Sequence, residues 1–147
     1  MSYSRASNLS AYQSAAAHGG VAASDPHRLV TMLMDGALER ISTARGCIER
    51  KETVEKARLL NRAVSIIGEL RSSLDMQAGG QIAVNLSELY DYMNRCLLKA
   101  NAENTVQQLD EVSTLLHEIR GAWAMIPSEV RSAARSTAGG NSGGSPG

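Results

Sequence analysis

The sequence predicts an all-α protein: an antiparallel up-down-up-down four-helix bundle with a flexible N-terminal arm and a disordered C-terminal tail. Three observations lead to this fold class. Aromatic residues make up 3% of the 147 residues and none is Phe, so the core must be aliphatic, which suits helix packing better than sheets. No proline lies between Pro26 and Pro127 to interrupt a helix. Apolar residues also recur at alternating spacings of three and four, the period of one helix face.

Pro26 and Pro127 also mark where the composition changes along the chain. They separate an arm (1–24), a body (25–127) and a tail (128–147). The tail is rich in Gly and Ser, and such a segment cannot bury enough apolar surface to order itself. We therefore expect one folded domain, the body, between a flexible arm and a disordered tail.

The body contains four stretches with helical apolar periodicity, joined by short connections. Because short connections force consecutive helices to run in opposite directions, the bundle should be antiparallel. The predicted core stripes are Val30, Met34, Ala37, Ile41, Ala44 and Ile48; then Leu60, Ala63, Ile67, Leu70 and Leu74; then Ile82, Leu86, Leu89, Met93, Cys96 and Ala100; and finally Leu109, Val112, Leu116, Ile119, Trp123 and Ile126.

Capping residues predict where each helix starts and stops. Asp25-Pro26 supplies a good N-cap followed by proline at the first helical position. Thr53 is predicted to cap the second helix, and the Gly79-Gly80 pair to end it. Asn104 is predicted to cap the fourth helix, because a Gln three residues later completes a capping-box pattern. Pro127 should stop that helix.

Charge and motif content exclude several classes of function. The 15 basic and 15 acidic residues cancel, which argues against nucleic-acid binding. Cys47 and Cys96 form no CxxC motif and are expected to be buried, inert thiols. There is no Glu-x-x-His, no HExxH and no glycine-rich phosphate loop, so we predict neither an enzyme nor a cofactor or metal.

Hydropathy gives no sign of a membrane protein or a secreted one. No run approaches the ~18–20 apolar residues of a membrane span, and the arm lacks the apolar core of a signal peptide. We therefore expect a soluble, cytoplasmic protein with no membrane insertion.

The remaining function is binding, and the second and third helices carry more apolar residues than one core stripe requires. One interpretation is a hydrophobic groove for a partner's amphipathic helix, with Tyr12 of the arm lying over it. An equally open interpretation is a broad core face. The candidate binding residues are Tyr12, Leu59, Ile66, Ala83, Leu86, Tyr90, Met93 and Leu97.

Several segments together resemble the FliS family of flagellin-specific export chaperones. They occur in the family's order and span residues 11–123. The segments are Ala11-Tyr12-Gln13, Ala23-Ser24-Asp25-Pro26, Met32-Leu33-Met34-Asp35-Gly36-Ala37, Gly79-Gly80-Gln81-Ile82-Ala83-Val84-Asn85-Leu86, Leu89-Tyr90-Asp91-Tyr92-Met93, Lys99-Ala100-Asn101 and Arg120-Gly121-Ala122-Trp123.

The sequence departs from the family's pattern at a few positions. The family usually has Tyr where Met34 stands, often Glu where Gln81 stands, and commonly a charged residue near Gly121. Met packs adaptably, so we expect the fold to tolerate Met34, although any polar role of the Tyr hydroxyl is lost here.

The resemblance implies a helical bundle in the bacterial cytoplasm that binds the C-terminal, disordered segment of flagellin. Such a chaperone keeps flagellin from polymerising and delivers it to the flagellar type III export gate. The resemblance also implies that the arm, anchored by Tyr12, covers part of the groove and moves when flagellin binds. The alternative that the residues leave open is a generic helical interaction or regulatory module, which could be a dimer; the sequence does not fix the oligomeric state.

Overall fold

The computed structural model describes residues 25–126, and they form four helices. These are α1 (Pro26–Glu49), α2 (Thr53–Ser72), α3 (Met76–Glu103) and α4 (Gln107–Ala124). The predicted all-α class is confirmed. The predictions for the arm (1–24), including Tyr12, and for the tail (128–147) lie outside the described residues.

Contacts between α1 and α4 show that these helices run in opposite directions. Arg45, late in α1, pairs with Asp110, early in α4, with Nε 2.7 Å from Oδ1. Asp35, earlier in α1, pairs with Arg120, late in α4. The order of the partners reverses between the two chain segments, as an antiparallel pair requires.

The same reversal holds between α2 and α3. Lys56 at the start of α2 binds the end of α3, where its Nζ lies 2.8 Å from the Asn101 carbonyl oxygen. Arg71 at the end of α2 donates from Nε to the Ser87 hydroxyl near the start of α3, at 2.9 Å. Each helix packs on its neighbours in sequence, and α1 packs on α4, which closes the bundle.

The core is aliphatic, as the composition predicted. All four stripes reach it, with side chains such as Met34, Ile67, Met93 and Leu116 almost wholly removed from water. Cys47 and Cys96 are free and buried, which confirms the predicted burial of the thiols. Burying aliphatic side chains contributes roughly 1.5–3 kcal/mol each, so these contacts supply the main stabilisation of the bundle.

The first helix begins as predicted, but two other predicted caps are wrong. Asp25 caps α1 by accepting from the Arg28 N–H at 3.2 Å. Thr53 is the first helical residue of α2 rather than its cap, and the N-cap Glu52 makes no capping bond through its side chain. Asn104 does not cap α4; it ends α3 in the left-handed conformation, with φ of 55°. Asn tolerates that conformation, so the same residue can serve either helix end.

The Gly79-Gly80 pair does not end the second helix, contrary to the prediction. α2 ends at Ser72, and Asp75 caps α3 by accepting from the Gln77 and Ala78 N–H groups. The glycines therefore fall in the first turns of α3 and kink it. Gly80 has φ of 52° and ψ of −130°, and a Cβ on Gly79 would lie 2.7 Å from the Cβ of Ala83.

We expect Gly80→Ala to destabilise the protein by ~1–3 kcal/mol, because an L side chain is strained at this positive φ. Gly121→Ala is the matched control: Gly121 is an exposed position within α4, nothing stands within 4 Å of the added Cβ, and the substitution should stabilise by up to ~1 kcal/mol. Urea unfolding of the two variants measures both effects, and a destabilisation of equal size in both would contradict the role assigned to the kink.

Candidate protein-binding site

The structure places most of the predicted binding residues inside the bundle. Leu59, Ile66, Ala83, Tyr90, Met93 and Leu97 are all buried, and Leu59 is the most exposed of them at 7%. Leu86 is half-buried. For the six buried residues the structure therefore shows a broad core face and no open groove, and their part in binding stays a prediction.

The breadth of the face on α2 has a simple cause. α2 packs between α1 and α3, so its apolar side must cover two neighbours. Ile66 lies on the α1 side, where it approaches Gly36. On the side of α2 that faces α3, the Val64 carbonyl oxygen accepts a hydrogen bond from the side-chain N–H of Asn94, at 3.2 Å. Residues flanking the central stripe are therefore needed for packing alone.

A single apolar stripe on α3 leaves the core as it approaches the start of that helix. Ala100 and Met93 are fully buried, Leu89 and Leu86 are half-buried, and Ile82 is 72% exposed. The spacings of three and four place all five residues on one side of the helix. The exposed end of the stripe is therefore continuous with the core and is not an isolated apolar side chain.

Residues of α4 form the other wall of this exposed region. The Tyr92 hydroxyl of α3 donates to Oε2 of Glu111 at 2.5 Å, so this side of α4 faces α3. Leu115 and Ile119 follow Glu111 at successive spacings of four and share its side. Both are half-buried and pack against the core. We call the surface formed by Ile82, Leu86 and Leu89 of α3 with Leu115 and Ile119 of α4 the open seam.

The length of α4 explains why the seam is open. α3 has 28 residues and α4 has 18. Beyond the kink at Gly80, the straight part of α3 covers the 23 residues 81–103, so at a rise of about 1.5 Å per residue α4 is about 8 Å shorter than the helix it must cover. The two helices are joined at the end of α3, so the deficit falls at the start of α3, where Ile82 lies.

The seam itself is uncharged, and its edges are polar. No residue from 76 to 87 carries a formal charge. Beside it, Tyr92 donates to Glu111, and this hydrogen bond raises the pKa of the tyrosine. The arrangement suits an apolar partner and offers little to a charged one.

A cavity of about 380 Å³ lies at the opposite end of the bundle, near Cys47 and Lys51. Its buried polar group is Lys56, whose Nζ binds the Asn101 carbonyl oxygen and, at 2.6 Å, Oδ1 of Asn104. These bonds tie α2 to the end of α3 and give the cavity wall a structural role.

Within residues 25–126, no group of three or more His, Cys, Asp or Glu residues is placed to hold a metal ion. No helix there is long and apolar enough to span a membrane.

Sequence periodicity found part of the seam but misread its exposure. Ile82 was predicted as a core residue but is 72% exposed. Leu86, Leu89 and Ile119, also on predicted core stripes, are half-buried and pack against the core, and Leu115 was not singled out. One signal in the sequence pointed to this surface, the uncharged run from 76 to 87.

The fold and the seam together define a class of protein. A small helical bundle with an aliphatic core and one uncharged apolar seam is suited to bind an apolar segment of another protein. Comparisons with known proteins identify the family within that class. The family model described as "Flagellar protein FliS" matches residues 7–130.

Individual relatives agree with the family match. The chain is 46% identical over 112 residues to the flagellar secretion chaperone FliSB of Pseudomonas aeruginosa, covering 76% of this chain and 89% of the relative. It is 43% identical over 122 residues to the flagellar secretion chaperone FliS of Salmonella typhimurium, covering 82% and 90%. The Bacillus subtilis chaperone FliS is 34% identical over 98 residues, covering 67% and 72%.

The chain belongs to the FliS family, whose members in these comparisons are named flagellar secretion chaperones. The resemblance seen in the sequence motifs is therefore confirmed. Chaperones are not enzymes, so the prediction of a non-enzymatic protein agrees with the names of its relatives.

Tyr90 offers a test of the core beneath the seam. Burial raises the pKa of its hydroxyl to about 12, above the ordinary value near 10. The folded state therefore holds this proton more tightly, and the stability that it contributes is lost as pH rises from 10 towards 12. In this range the free energy of unfolding should fall by up to ~1.4 kcal/mol per pH unit, and Tyr90→Phe should abolish this fall. Urea unfolding of both proteins from pH 8 to 11 tests this, and parallel pH dependences would contradict it.

Proposed function

We propose that this chain binds the C-terminal segment of flagellin in the bacterial cytoplasm and prevents its premature polymerisation. Flagellin held in this way stays competent for export and is delivered to the flagellar type III export gate. Membership of a family of flagellar secretion chaperones supports this function. The structural observation that carries it is the open seam, where Ile82 stands 72% exposed at the end of a core stripe.

The chemistry of the seam matches an amphipathic helix. Its apolar side chains would contribute ~25 cal/mol per Å² buried, before the cost of ordering the partner. A partner segment that is disordered when free can fold along such a surface and wrap around it. Because the seam carries no formal charge, its affinity should depend little on salt.

The residues predicted from the sequence take two places in this proposal. Leu86 lies on the seam, and Ala83, Tyr90, Met93 and Leu97 lie on the same helix within the bundle, where we propose that they form the floor of the site. Leu59 and Ile66 of α2 support that floor from within the core. The arm, with Tyr12, is proposed as a cover that flagellin displaces.

Ile82→Asp tests whether the seam is the binding site. A carboxylate at the most exposed apolar position of the seam should weaken binding of the flagellin C-terminal segment at least about tenfold, since it removes an aliphatic side chain that the partner would bury and adds a charge that must be desolvated. Isothermal titration calorimetry with that segment measures the change.

Val54→Asp is the matched control. Val54 is also β-branched, is 86% exposed and lies near the start of a helix, but it stands at the opposite end of the bundle. The Val54→Asp variant should bind the flagellin C-terminal segment with an affinity within about twofold of that of the unmodified protein. Equal affinities of the two variants would place the site elsewhere, and no micromolar binding by the unmodified protein would refute the proposed function. A stable homodimer without flagellin affinity would favour the alternative of a generic interaction module.

A further inference from the structure

We propose that His27 and Trp123 are positioning residues for the open seam. Their contact holds the end of α4 against α1 and so keeps α4 from closing over Ile82 and Leu86 of α3. This inference rests on the proposed function, because it treats the seam as the surface that cargo must reach. Neither residue lies on the seam itself.

The contact between these residues fixes both distance and orientation. The two rings stack with centroids 4.6 Å apart and planes 9° from parallel. The indole N–H of Trp123 donates to the His27 carbonyl oxygen at 3.0 Å. In return, Nε2 of His27 lies 2.8 Å from the Trp123 carbonyl oxygen and donates to it. We call this reciprocal contact the His27–Trp123 clasp.

The clasp is one of several polar links between α4 and α1. Links to α1 occur at three levels along α4: Asp110 with Arg45, Arg120 with Asp35, and Trp123 with His27. A polar link to α3, between Glu111 and Tyr92, lies in the first turns of α4. The second half of α4 is therefore tied to α1, and it faces α3 through half-buried apolar residues.

The clasp is the strongest of the links at the far end of α4. Arg120 and Asp35 have side chains 36% and 51% exposed, and ion pairs at such positions contribute little. The clasp is part-buried and combines stacking with two hydrogen bonds. The hydrophobic effect acts in the opposite direction, because moving the end of α4 towards α3 would bury Ile82 and Leu86. Without the clasp, the seam should narrow.

The distance across the seam tests this directly. Nitroxide labels at Asn85→Cys on α3 and Glu118→Cys on α4, both exposed positions, report that distance by double electron–electron resonance. Cys47 and Cys96 are replaced by Ala to make labelling specific. In the full chain, His27→Ala should shift the distance distribution to shorter values. His27→Phe, which can stack but cannot donate to Trp123, should give an intermediate result.

Asp35→Ala is the control, since it breaks an exposed ion pair between the same helices and should leave the distance unchanged. A folded His27→Ala variant with the unmodified distance would overturn the proposal. If His27→Ala does not fold, the label distance in His27→Phe decides: a shorter distance supports the proposal and an unchanged one overturns it. A change as large in Asp35→Ala would also overturn it, because any weakening of the α1–α4 contact would then suffice.

Binding of the flagellin C-terminal segment separates this inference from the proposed function. We expect His27→Ala to weaken binding about tenfold, equivalent to about 1.4 kcal/mol, with partial recovery in His27→Phe. If the unmodified protein does not bind, the proposed function fails while the distance measurement still tests the clasp. If the distance shortens but affinity is unchanged, the clasp does not position the cargo site.

Discussion

The length of α4 is the constraint on which the rest of the structure depends. Each helix of a bundle must cover apolar faces of its two neighbours, and a helix covers only as much as its own length allows. α4 has 18 residues against 28 in α3 and 24 in α1. Three of its residues, Leu109, Val112 and Leu116, are fully buried, and all lie in its first two-thirds. The beginning of α3 is therefore left with an apolar face that the chain's described helices do not cover.

Much of the fold followed from the sequence because the period of apolar residues is a local property. The stripes through Ile41, Leu60, Met93 and Leu116 all reach the core, and the short connections led correctly to antiparallel neighbours. The caps were less predictable, because Asn and Gly serve several purposes. Asn104 satisfies the end of one helix as readily as the start of another, and Gly80 can end a helix or kink it. Which role applies depends on where the neighbouring helices hold the backbone.

The site was harder to predict than the fold, because exposure depends on tertiary structure. Ile82 and Met93 belong to one stripe with the same spacing, yet one is 72% exposed and the other is fully buried. The difference between them is how far α4 extends, which is a property of another part of the chain. In the same way, Leu59 and Ile66 resembled a surplus apolar surface, although α2 needs them to pack against two neighbours. Periodicity identifies the face that a helix turns inward, but the length of the neighbouring helix decides whether that face is covered.

An exposed apolar seam is also a liability, and its borders limit that liability. The chain has zero formal net charge, so long-range repulsion does little to keep copies apart. Protection against contact between copies must therefore be local, and polar contacts along the edges of the seam provide it. Gln81 donates to Asn85 at 2.9 Å on the exposed side of α3, and the Tyr92–Glu111 pair continues that border along the helix. A copy of this chain offered to the seam would have to desolvate those pairs, whereas a narrow amphipathic helix can bury its apolar face between them. A segment that binds the seam must therefore be narrow enough to fit between these polar pairs.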